Sequence, residues 1–198
     1  MSNPHPDSTS NDPQPTSTQP DPTGQNSNCQ NTQPHAADLH PSRTFKVWKK
    51  LESKPLGKGL FSAFAGFSAP YFLTVLPRVK DLRPGYCQVA APKWWLIKNH
   101  IGTFHAIAAC NIAEMAMGML AEASVPSTHR WLPKGMRSQY LKKTTGGLTA
   151  TATAELPDFS QITRESGGQD VTVKIHFEDA TGVESTYVEI DIWVTAKK

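Results

Sequence analysis

Glu114 is the residue in this 198-residue chain that most needs explaining. It stands alone in Ile112-Ala-Glu-Met-Ala-Met-Gly-Met-Leu-Ala121, an otherwise apolar run. An ionised carboxylate is costly in apolar surroundings unless it is paired or faces a water-lined cavity. No basic residue lies three or four positions away, and Asn111 is the polar neighbour at that spacing. Two readings follow. Glu114 is a structural carboxylate paired across the fold, or it is a general base or nucleophile facing a site.

The second chemical element lies just upstream, in Asn99-His-Ile-Gly-Thr-Phe-His105 followed by Ala106. A loop of glycine and hydrogen-bonding residues opens a helix there. The free N–H groups and positive dipole end of a helix start can polarise a carbonyl and hold an oxyanion. His105 and Glu114 are nine residues apart, which places them on opposite faces of one helix. They cannot act as an acid–base pair within one chain; a site that uses both must lie between two subunits. The alternative for His105 is a ring that caps or buttresses the loop. A metal site from His100, His105 and Glu114 matches no standard ligand spacing.

The elements that must position these groups read as follows. Phe45, Trp48 and Leu51 are three apart, one apolar helical stripe with lysines opposite. Leu56, Leu60, Phe61, Phe64 and Phe67 continue a helical segment loosened by Gly57, Gly59 and Gly66. Both pack on the domain or form a membrane-surface or lid helix. Residues 71–82 and 86–91 flank the turn Arg83-Pro84-Gly85 and read as a hairpin, with Pro77 at an edge or bulge. A helix over 103–121 with seven alanines between Thr103 and Ala123 is apolar all round, hence buried. Strands follow at 136–143, 148–154, 171–177 and 187–194, the last three with period-two alternation. The class is α+β: one long helix lying on a curled antiparallel sheet.

Composition bounds the rest. Residues 1–43 hold eight of the sixteen prolines and no aromatic residue, the composition of a disordered tail. Residues 44–69 are then an N-terminal helical segment and 70–198 the main domain. The tail carries four acids against Arg43, so the remainder of this +3 chain carries +6. That suits an anionic small ligand and is too scattered for nucleic acid. Cys29, Cys87 and Cys110 form no paired spacing, which implies free thiols in a reducing compartment. The N-terminus lacks an apolar secretory segment and is acidic, so the expected location is the cytoplasm rather than the mitochondrion.

The pattern Asn99-x-x-Gly102-Thr103-x-His105, with an acid nine positions after the histidine, resembles the hotdog-fold acyl-CoA thioesterases, the phenylacetate-degradation type among them. The Ala113-Glu114 context, Tyr140-Leu-Lys and Ile192-Trp-Val are similar to an uncharacterised branch known as a domain of unknown function. The resemblance spans roughly residues 70–197. It implies a hotdog fold and a cofactor-free homodimer, possibly a tetramer, with acyl-CoA substrate and sites at the subunit interface. Glu114 would be base or nucleophile, and Asn99 would hold the attacking water or orient the acyl group. Ala106 and Gly102 N–H groups would bond the thioester oxygen, with Thr103 and His105 supporting the loop. Lys134, Arg137 and Lys142, with Lys143, would meet the CoA phosphates. Where the family has His-Gly-Gly, this chain has His105-Ala106-Ile107, and its acid is Glu rather than the commoner Asp. The contrasting reading is a non-catalytic hotdog module that binds acyl groups, lipid or partner proteins.

Overall fold

The computed structural model describes residues 41–198. The tail expected over 1–43 lies outside the described residues except for its last three. Helix α1 (Arg43–Leu51) starts at Ser42, whose Oγ accepts from Phe45 N at 3.1 Å. Lys49 and Lys50 close its last turn, where they complement the helix dipole. Trp48 is buried and meets Phe61 of α2 (Gly57–Ser68) edge-on, with ring centroids 5.1 Å apart. Gly57 allows the tight turn between the helices, since a Cβ there would overlap the Leu51 carbonyl. Ser62 ties α2 to the sheet: its Oγ accepts from Val79 N at 2.9 Å and donates to Lys58 O. The entry helices are therefore packed onto the domain through one face. Leu60, Phe64 and Phe67 on the other face remain exposed.

Residues 70–75 form a 3-10 segment rather than the expected strand. Pro70 opens it, and the buried Asn111 pins it: Nδ2 donates to Tyr71 O and to Thr74 Oγ1. Six strands follow: β1 (Arg78–Arg83), β2 (Tyr86–Ala91), β3 (His129–Tyr140), β4 (Leu148–Thr153), β5 (Gln169–Asp179) and β6 (Glu184–Ala196). They make one antiparallel sheet in the order β1-β2-β4-β5-β6-β3. Alternation decides which face is covered. Val171, Val173, Ile175, Phe177, Val188, Ile190, Ile192 and Val194 are buried while their neighbours are not. Against that face lies α3 (Ala106–Ser124), packed most against β2 and β4, where Ala150 and Ala152 let it approach closely. A long helix cradled by one curled antiparallel sheet is the hotdog arrangement.

The helix is not covered all round. Ala109, Ile112, Ala113, Met115, Ala116 and Leu120 face the sheet and are buried. Ile107 and Glu114 are exposed, and Cys110 between them is half-buried. The sheet covers one side of the helix, and α1 and the 70–75 segment cover part of the other, where Asn111, Met117 and Gly118 are buried, which leaves a narrower open strip. At the sheet edge beside this open side, β3 begins at His129, seven residues earlier than expected. Its Leu132, Met136 and Tyr140 are exposed.

Candidate functional site

The loop before α3 is built by Asn99. Its Oδ1 accepts from Thr103 N at 2.9 Å and from Ile101 N at 3.2 Å, and its Nδ2 donates to Thr103 Oγ1 at 2.7 Å. Gly102 turns the chain with φ +76, a left-handed conformation suited to glycine, and its N–H donates to Asn99 O. These bonds engage two groups for which other roles were expected. The Asn99 carbonyl oxygen is engaged in holding the loop rather than an attacking water. The Gly102 N–H is committed to the turn and is no donor to a thioester oxygen. They also explain why α3 starts at Ala106 and not at Thr103, whose N–H the loop has captured.

His105 is the N-cap: Nδ1 accepts from Ile107 N at 3.2 Å, and its own N–H donates to Ile97 O. His105 thus caps the helix, as one of its two readings had it. Ala106 is the first helical residue. Its N–H has no intrahelical acceptor by geometry and finds no other among the described residues. It lines a cavity of about 210 Å³ together with Asn99, Thr103, Tyr140, Lys142 and Lys143. The cavity thus offers one free helix-start N–H and two cations.

Glu114 is elsewhere. It is exposed, pairs with no cation among the described residues, and lines a separate cavity of about 340 Å³ between α2, α3 and β3. The expectation that apolar neighbours bury it is corrected: it stands on the open side of α3. The two cavities share no lining residue, and Glu114 lies about 13 Å along the helix axis from His105. Among the described residues no His, Cys, Asp and Glu side chains gather as a metal set, so His100, His105 and Glu114 do not form one.

Two of the expected phosphate-binding cations are committed elsewhere. Lys134 pairs with both Asp170 oxygens at 2.8 and 2.9 Å. Arg137 pairs with Glu189 at 3.1 Å and Asp191 at 2.8 Å. These acids alternate with the buried residues of β5 and β6, so the pairs lie on the sheet face away from α3. Irregular pairing between Pro133 and Gly135 shifts the strand's parity, which puts both cations outward. Lys142 and Lys143 remain at the loop cavity.

A family model described as a domain of unknown function, DUF4442, matches residues 57–194. The chain belongs to this family. One solved structure, from a genomics programme, is 36% identical to this DUF4442 chain, with TM-score 0.64, and covers 78% of this chain and 98% of its own. A Pseudomonas aeruginosa protein of unknown function described as a probable thioesterase is 20% identical, with TM-score 0.63, over 72% of this chain and 98% of that one. A mutant of the Staphylococcus aureus thioesterase SAV0944 is 15% identical, with TM-score 0.56, over 64% and 99%. No curated protein matches the chain in sequence. These likenesses establish the hotdog fold and agree with the resemblance read from the loop and Glu114.

One cluster escaped the sequence reading. Cys110 Sγ lies 3.3 Å from Tyr140 Oη, and Ser138 Oγ donates to the same hydroxyl at 3.2 Å. The cluster bridges the open side of α3 to β3. Burial and the Cys110 contact push the Tyr140 phenol above its ordinary range. The signal was Tyr140, which lies thirty residues beyond Cys110, a separation no local pattern reveals.

Proposed function

We propose that this DUF4442 chain hydrolyses acyl-CoA thioesters to the free acid and CoA. The active form is a homodimer, each site combining the α3 start of one protomer with Glu114 of the other. The observation that carries this reading is the separation of the two half-sites. The free Ala106 N–H and the two lysines share one cavity, the unpaired carboxylate occupies another, and neither half is sufficient for hydrolysis. The exposed apolar residues of β3 and of the open side of α3 supply a surface on which a second copy can pack. The thioesterase descriptions of structural neighbours support the same chemistry.

The step follows from the groups present. Glu114 takes a proton from water as the hydroxide adds to the thioester carbon. The carbonyl oxygen becomes an oxyanion and accepts from the Ala106 N–H, strengthened by the helix dipole. Collapse breaks the C–S bond, and the departing thiolate takes the proton back from Glu114. Direct attack by the Glu114 carboxylate, with water then cleaving the anhydride, is the nucleophilic variant of the same geometry. Lys142 and Lys143 suit the CoA phosphates.

Complementation tests the reading. Glu114→Ala removes the base. Ala106→Pro removes only the N–H, since proline is tolerated at the first helical position and His105 already has an extended ψ of 132. Each homodimer should lose roughly 10²-fold or more in kcat. Mixed by co-expression, the two variants should recover about a quarter of wild-type activity, since half the dimers are mixed and each holds one intact site. Folded dimers that recover nothing on mixing would exclude a shared site. Undiminished hydrolysis by the Glu114→Ala dimer would exclude its assigned role.

A further inference from the structure

The Glu114 cavity has a shape of its own. Its floor is one stripe of α3, where Glu114, Gly118 and Glu122 follow each other at four-residue spacing. Phe64, Ser68 and Phe72 form one wall, and Trp131 the other. Glu114 and Glu122 are about 12 Å apart along the axis, so the apolar space between them is elongated. Trp131 donates from Nε1 to Glu122 at 3.3 Å, which fixes the indole across the far end. Gly118 is the telling residue. It has no left-handed backbone, and a Cβ there would meet only Trp131, at an ordinary 3.5 Å. Packing does not require glycine, although glycine in a helix interior costs roughly 0.5–1 kcal/mol against alanine. What it provides is a stretch of floor without a side chain, one turn from the carboxylate and under the edge of the Trp131 ring.

We infer that this cavity binds the acyl half of the substrate, and that its occupant is a straight chain of medium length. The inference rests on the thioesterase reading for the thioester end placed at Glu114. At about 30 Å³ for a group of water size, the cavity of about 340 Å³ holds around eleven such groups. That corresponds to an acyl group of roughly eight to ten carbons in all. The entry helix α2 thereby sets chain-length preference, while the loop cavity, which α2 does not line, sets CoA recognition. The terminal methyl lies against Trp131.

The test is the profile of kcat/KM over straight-chain acyl-CoAs from acetyl to palmitoyl, with phenylacetyl-CoA added. Binding of a non-hydrolysable decanoyl-CoA thioether is measured by calorimetry alongside. Two variants narrow the cavity: Ser68→Trp at its exposed rim, which keeps the core intact, and Gly118→Leu on its floor. The wild type should peak at octanoyl- to decanoyl-CoA. Both variants should lower the decanoyl-to-butanoyl ratio at least tenfold and weaken thioether binding to match. Turnover with a flat profile that Ser68→Trp leaves unmoved would overturn the inference and leave the thioesterase reading intact, as would a preference for phenylacetyl-CoA. Thioether binding that both variants weaken, without turnover of any thioester, would support the cavity assignment and overturn the hydrolytic reading instead.

Discussion

Replacing Asn99 separates a residue that builds the loop from one that touches substrate. The side chain makes three hydrogen bonds, two accepted by Oδ1 and one donated by Nδ2. Each is worth about 0.5–1.5 kcal/mol net, and the bond from exposed Ile101 counts least. Asn99→Ala should therefore cost about 2 kcal/mol. For a domain of this size that lowers Tm by roughly 4–8 °C. Asn99→Asp keeps the acceptor facing both backbone N–H groups, and the Thr103 hydroxyl can turn to donate. It should recover more than half of the lost stability. Calorimetry of the three proteins reads this directly. On the activity side, a slack loop misplaces the Ala106 N–H, so kcat should fall by on the order of tenfold with Asn99→Ala and much less with Asn99→Asp. A Tm unchanged to within about 1 °C in Asn99→Ala would refute the loop-building argument. So would an Asp variant no better than Ala in both measurements, which would return Asn99 to a direct role.

Acid should weaken the sheet's outer face. The Arg137 guanidinium and the Thr172 hydroxyl hold Asp191 below the ordinary carboxylate range, and the Tyr187 hydroxyl and Arg137 do so for Glu189. A carboxyl depressed in the folded state contributes stability above its unfolded pKa and loses it as pH falls through the folded value. The loss should begin near pH 4 and deepen below it. Urea unfolding at pH 7 and pH 3 should show a smaller difference in Arg137→Gln than in the wild type, and an equal difference would refute the coupling. Met136→Arg places charge on exposed β3 surface of the α3-facing side, since Met136 pairs with Ile190. Sedimentation should show a dimer dissociation constant raised at least tenfold, and unchanged association would remove β3 from the interface.

The fold was largely legible because burial on one face writes itself into period two. Val171 to Phe177 and Val188 to Val194 were placed on strands by alternation alone, and the observed strands contain them. Where reading failed, a long-range partner had overridden the local pattern. Tyr71 to Val75 are β-formers, yet Asn111 of α3 holds them in a 3-10 turn. The first half of β3 was hidden because Pro133 and Gly135 are poor strand residues, and the irregular pairing that accommodates them pairs with β6, over fifty residues away. The same irregularity decides which way Lys134 and Arg137 face, since facing depends on parity. At the candidate site, residue types and spacing singled out the loop that Asn99 ties and His105 caps, and the carboxylate of Glu114. The assignment of individual atoms was out of reach, because whether an N–H is free depends on bonds such as Gly102 N to Asn99 O.

The open side of α3 also constrains how two copies can meet. A two-fold contact relates residue i of one chain to j of the other, and j to i. If the loop at His105 faces Glu114 of a second copy, the helices run antiparallel, and the axis crosses between residues 109 and 110. Ala109 is buried against the sheet, so the residue at the axis that can meet its own copy is Cys110. Its neighbours Ser138 and Tyr140 are on β3, whose exposed apolar residues continue the surface away from the helix. The nine-residue spacing that forbids an acid–base pair within one chain becomes the spacing that fixes the register of two. In that register the medium-length acyl cavity stays within a single protomer, floored by α3 and walled by α2. The carbonyl alone crosses to the partner's helix start. Chain-length preference and carbonyl activation then reside in different copies, and a change to one leaves the other's geometry in place.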